Sequence, residues 1–220
     1  AKSTLWRGQH MKLFEEFQNV QARAETVMQK SALEHVLEVE ESILHTYQST
    51  NMHQSDLIVL HETYETILAY VKGKISIDDI TPEIIKQYLS ARENNQKDTK
   101  AALRGMYSGI LIEIACEKIK EPIHFKGDGK TWNYLFYYIH SVKNITITDF
   151  IGESIFECGG SFGGSIENIT ARNIFGNKLL KNIGSNKGSA KQIFVENIEG
   201  AGILAYAGEE GTAEDIKVIN

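Results

Sequence analysis

From residue 142 to the end of the sequence, apolar and polar positions recur in register about every two dozen residues. Residues 142–165, 166–189 and 190–212 form units of 24, 24 and 23 residues, and 213–220 opens a fourth. Ile145, Ile169, Ile193 and Ile216 share one column, and two residues on stand Ile147, Ala171, Val195 and Val218. That spacing of two puts both columns on one side of a strand, with Thr146, Thr170, Phe194 and Lys217 facing the other way. A polar column follows at Asp149, Asn173, Asn197 and Asn220. It is followed by apolar Phe150, Ile174 and Ile198, and then by Gly152, Gly176 and Gly200. Asn or Asp shortly before Gly reads as a corner between sheets. Ile155-Phe156, Leu179-Leu180 and Ile203-Leu204 then read as a second short strand. A period of this length signals a solenoid. Strands and Gly/Asn corners without helical stretches predict parallel β-helix coils rather than leucine-rich repeats, with like residues stacked about 4.8 Å apart.

The first half follows a different period. Residues 11–47 carry apolar side chains every three to four positions, including Phe14, Phe17, Val27, Val36, Val39 and Ile43, which predicts one long helix or two nearly continuous ones. A polar break at 49–55 precedes a second helix to about 71, capped at Ser55-Asp56. A third starts at Thr81-Pro82-Glu83, where Thr caps and Pro takes the first helical position. A fourth spans about 99–120 and stops before Pro122. Short connections between such helices favour an antiparallel bundle. Of the 18 glycines, 14 lie between 127 and 211 and none between 8 and 73, so the composition changes where the period does. The expected architecture is a segregated α+β chain: a helical bundle over 1–120, then a parallel β-helix of three to four coils over 121–220.

The motifs Asn144-Ile145-Thr146-Ile147 and Asn168-Ile169-Thr170-Ala171 give residues of about 120–220 a resemblance to right-handed parallel β-helix proteins of the pectate-lyase-like kind. The resemblance implies the fold and brings no catalytic motif with it. The segment from Ile80 to Leu89, with Lys97-Asp98-Thr99-Lys100 and the last helix, resembles the core-binding domain of tyrosine recombinases, which would imply DNA binding. No catalytic Arg, His and Tyr set accompanies it. A net charge of −6 and a pI near 5.7 oppose attraction to phosphate backbones, so nucleic acid is not an expected partner.

Several constellations could carry chemistry. Enzymes of the β-helix kind place carboxylates on neighbouring coils, and here Glu153, Glu157, Glu196, Glu199 and Glu209 are the catalytic candidates for an enzyme acting on carbohydrate. His35 with Glu38, Glu41 with His45, and His61 with Glu65 stand three or four residues apart on helices and are the candidate metal ligands. The paired Glu-x-x-His signature of bundle metal sites is absent, and no cofactor is expected. Gly127-Asp128-Gly129-Lys130-Thr131 ends like a phosphate loop, but the position that requires the first glycine holds His124, so a turn into the first coil is the expected role.

A solenoid must close both ends. The aromatic run 132–139 offers the first coil something to place under the helices. Ile203, Val218 and Ile219, at the other end, are the candidate interface. The expected function is therefore a non-enzymatic assembly or binding module, homo-oligomeric through the helices or the last coil, with a protein or a carbohydrate as the other partners considered. Two distant cysteines, Cys116 and Cys158, no visible leader and no apolar run of membrane-spanning length lead to the expectation of a cytoplasmic, non-membrane protein.

Overall fold

The computed structural model describes residues 32–47 and 57–220. A helix over 32–47 (α1) is followed by α2 (Leu57–Lys74), α3 (Pro82–Ala91) and α4 (Thr99–Cys116). The predicted stretch 11–31 and the Ser55-Asp56 cap lie outside the described residues. α3 starts as its sequence requires, with Thr81 Oγ1 accepting from Ile84 N and Pro82 opening the helix. Asp98 Oδ1 accepts from Ala101 N to start α4. α4 stops four residues before the predicted boundary, because 117–122 must turn the chain into the first strand.

Six strands form one parallel sheet: β1 (Ile123–Lys126), β2 (Ser141–Ile151), β3 (Ser165–Phe175), β4 (Ser189–Glu199), β5 (Thr212–Glu214) and β6 (Lys217–Ile219). The order is β1-β2-β3-β4-β5, with β6 also pairing β4. The register is that of the repeat: Ile145 faces Ile169 and Ile169 faces Ile193, while Ile147, Ala171 and Val195 stack beside them. All six are fully buried, so the apolar columns form a continuous core along a solenoid of about four turns.

Two polar columns sit out of the ladder. Asp149, Asn173 and Asn197 take φ of 59°, 53° and 53°, the left-handed region that Asn and Asp enter more readily than other side chains. Asn173 Nδ2 donates to Asp149 Oδ1 at 2.9 Å and Asn197 Nδ2 to Asn173 Oδ1 at 2.8 Å. A second such column, Asn144, Asn168 and Gln192, bends the strand earlier and repeats the arrangement, with Asn168 Nδ2 donating to Asn144 Oδ1 at 2.7 Å.

The predicted second strand is corrected. Ile155-Phe156 and Leu179-Leu180 are buried, but their backbone is turn-like. Ser154, Phe156 and Cys158 are left-handed, as are Lys178, Leu180 and Asn182 below them, so the conformation alternates residue by residue. Hydrogen bonds still run between coils, such as Ser154 N to Asn177 O and Leu180 N to Ile155 O. The apolar pairs therefore mark inward-facing positions rather than extended ones.

The helices share this core. α4 is buried nearly all round, and Gly105 and Gly109 let it approach residues 134–139. A Cβ at Gly105 would run into the Tyr134 carbonyl, with Tyr134 Cβ only 2.6 Å away. Gly105→Ala is accordingly expected to cost about 3 kcal/mol, the upper end for overpacking because backbone rather than a side-chain tip must move. Urea unfolding checks it: an unchanged midpoint would mean that α4 does not lie so close. Across the bundle, the fully buried Glu40 of α1 accepts from Tyr88 Oη (2.9 Å) and Arg104 Nε (2.6 Å) on one oxygen and from Arg92 Nε (2.8 Å) on the other. These bonds tie α1 to α3, to α4 and to the residue that follows α3.

Candidate functional site

The two ends of the solenoid differ. In a coil, alternate backbone N–H groups point toward the preceding coil and toward the following one. For the first coil there is no preceding coil, and the helical half supplies the acceptors. Asn133 N donates to Asn94 O at 2.7 Å and Phe136 N to Ser108 Oγ at 3.1 Å. His140 N and Ser141 N both donate to Glu113 Oε2, at 3.1 and 3.0 Å. The same carboxylate oxygen receives the Tyr64 hydroxyl at 2.5 Å, and burial, followed by the Glu113 charge, drives the Tyr64 pKa far above its usual value. α4 thus stands where a coil would stand.

At the other end the pattern continues until it has no partner among the described residues. Ser154 N donates to Asn177 O and Lys178 N to Ala201 O; Cys158 N donates to Lys181 O and Asn182 N to Ala205 O. Gly202 and Tyr206 occupy the next positions in these two columns, and their N–H groups have no acceptor among the described residues. The side chains follow suit. Leu179 and Leu180 are buried, whereas Ile203 and Leu204 in the same columns are half-buried. Val195 is fully buried, but Val218 below it is 50% exposed, with Ile219 at 38% and Tyr206 at 61%. Two of the three predicted interface residues, Val218 and Ile219, are thus exposed at this edge beside half-buried Ile203. Leu204 and Tyr206 belong to the same surface and were not anticipated. The sequence signal for them was the repeat column itself.

The candidate carboxylates are scattered. Stacking gives the columns Glu153–Asn177–Ala201, Glu157–Lys181–Ala205, Thr148–Arg172–Glu196 and Ile151–Phe175–Glu199, so no two of these glutamates lie above one another. Glu153 is held by Lys97 Nζ at 2.6 Å and Asn177 Nδ2 at 3.3 Å, and the Lys97 hydrogen bond keeps its carboxyl below the ordinary carboxylate value. Glu196 pairs with Arg172 at 2.8 Å. Glu199 and Glu209 are exposed. Glu157 departs from the expectation of a surface carboxylate: it is only 5% exposed, lies 3.3 Å from Lys181 Nζ, and leaves one oxygen without a partner among the described residues.

The helical His and Glu candidates are similarly separate. His35, Glu38 and His45 lie on α1, and Glu41 of α1 accepts from Arg92 at 2.7 Å. His61 stacks on Phe162, with ring centroids 5.1 Å apart, and Glu65 is exposed one turn along α2. Among the described residues, no group of three or more His, Cys, Asp or Glu is arranged to hold a metal ion. In the 127–131 loop, Gly127 N, Gly129 N and Lys130 N all donate to backbone carbonyls, so those amides are not free to cradle a phosphate.

Compared with protein-family models, with curated proteins and with solved structures, the chain matches none. Among the described residues, no helix is long and apolar enough to cross a membrane.

Proposed function

We propose that this chain is a non-enzymatic assembly module that joins a second copy of itself through its last coil. One observation supports the reading: the first coil has its outward N–H groups satisfied by α4 and its neighbours, while the coil over 200–219 has N–H groups without an acceptor among the described residues and partly exposed apolar columns. Exposed strand edges are pairing surfaces unless something covers them. A two-fold contact is the simplest way for one such edge to complete another. A reducing, cytoplasmic setting belongs to the same reading, and both cysteines are free thiols.

Light scattering on the full chain and on a chain truncated after Thr212 tests this. The full chain is expected to be dimeric at micromolar concentration, and the truncated chain, which keeps Gly202 and Tyr206 but loses Val218 and Ile219, to lose that defined dimer. A full chain that stays monomeric across the concentration range would contradict the proposal. Val218→Asp gives the same test without shortening the chain, since it puts a charge in the middle of the contact.

A further inference from the structure

A cavity of about 310 Å³ lies between α3 and the 126–131 loop, away from the last coil. Its wall carries Lys86 and Ser90 from α3, His124 and Lys126 from β1, and Asp128 and Lys130 from the loop, above an apolar floor that includes Trp132 and Phe150. Three lysines and a histidine thus line the cavity beside one aspartate, in a chain whose net charge is −6. Asp128 is engaged by Lys126 at 3.0 Å, and Asp149 lies 3.9 Å from the same lysine. Lys130 Nζ donates to the Ser90 carbonyl at 2.7 Å, which fixes the ammonium at the wall without neutralising it. Lys86 has no ion-pair partner among the described residues.

We propose that this cavity binds a small organic phosphate, its dianion held by Lys86 and Lys130 and its short apolar body laid against the floor. A dianion matches two uncompensated ammonium groups, and each charge-assisted contact favours the phosphate over a neutral isostere. The volume sits at the lower end of the range for small-molecule sites. Recognition is by side chains. The Gly127, Gly129 and Lys130 amides are already spent on backbone carbonyls, which separates this site from a nucleotide-cradling loop despite the Gly127-Asp128-Gly129-Lys130-Thr131 sequence. Lys130 thus has a role beyond the turn: it carries charge from the loop across to α3.

Titration calorimetry of the full chain with phenyl phosphate, with phenol as the neutral control, tests the proposal. Phenyl phosphate is expected to bind, more weakly as salt is raised, and phenol is expected to give no heat. Lys86→Ala and Lys130→Met are each expected to weaken binding about tenfold, as loss of one charged contact does. Lys86 is exposed, so its variant keeps the fold and carries the test even if Lys130→Met melts early. Absence of phenyl phosphate binding at millimolar concentration, or affinity unchanged in Lys86→Ala, would overturn the proposal. Neither result depends on whether the last coil associates.

Discussion

Ile169→Asp is expected to abolish the native solenoid rather than weaken it slightly. Ile169 is fully buried between Ile145 above and Ile193 below, with no donor positioned to meet a carboxylate. Placing an unpaired charge there, on top of the lost apolar contact, costs more than about 5 kcal/mol, which is the size of a whole domain's stability. Thr170→Asp is the control. Thr170 is half exposed on the other face of the same strand, and its change is expected to cost less than about 1 kcal/mol.

Cys158 provides the readout. Burial first, and the Glu157 carboxylate second, push its thiol up to about 12, so at neutral pH it is protonated and enclosed. It should react with a maleimide only when the coils open, slowly in the parent chain and in Thr170→Asp, quickly in Ile169→Asp. A folded Ile169→Asp chain with a protected Cys158 would contradict the stacked core.

The second large effect belongs to the helical half. Glu40→Ala is expected to destabilise the chain by about 3 kcal/mol, the lower end for breaking a buried ion pair, because Arg92 and Arg104 retain some access to water. Tyr88 has no such access: its hydroxyl would lose its acceptor while fully buried. Glu40→Gln keeps an acceptor and the shape, so it should recover part of the loss. Urea midpoints for the two variants decide the matter; equal stability in Glu40→Ala and the parent chain would mean that α1 is not held through this residue.

The solenoid was legible because coil stacking forces chemical likeness at a fixed period. An Ile over an Ile, or an Asn over an Asn, is visible in one sequence once the period is known. The helix starts were legible for a local reason, Thr81-Pro82 being stabilised by its own first turn. What was not legible depended on long-range geometry. Phe156 and Leu180 read as strand residues because they are apolar, yet the coil holds them in a left-handed conformation that local preference disfavours. Ser108 and Glu113 read as ordinary members of a helix, and only the position of α4 against the first coil turns them into acceptors for Phe136, His140 and Ser141. The small residues Gly105, Ser108 and Gly109, on one face of α4, were the available sign that something approaches closely there. Glu157 reads as a surface group because acidic residues usually are. Its column places it under the 134–138 segment and over Lys181 instead.

Amide hydrogen exchange at four positions tests the central contrast between the closed and open ends most directly. Phe136 and His140, whose N–H groups are met by Ser108 and Glu113, are expected to exchange slowly at every protein concentration. Gly202 and Tyr206 are expected to exchange quickly in dilute solution and to become protected as concentration rises and a second copy covers them. Exchange at Gly202 and Tyr206 that does not change with concentration, whether fast or slow throughout, would contradict the account.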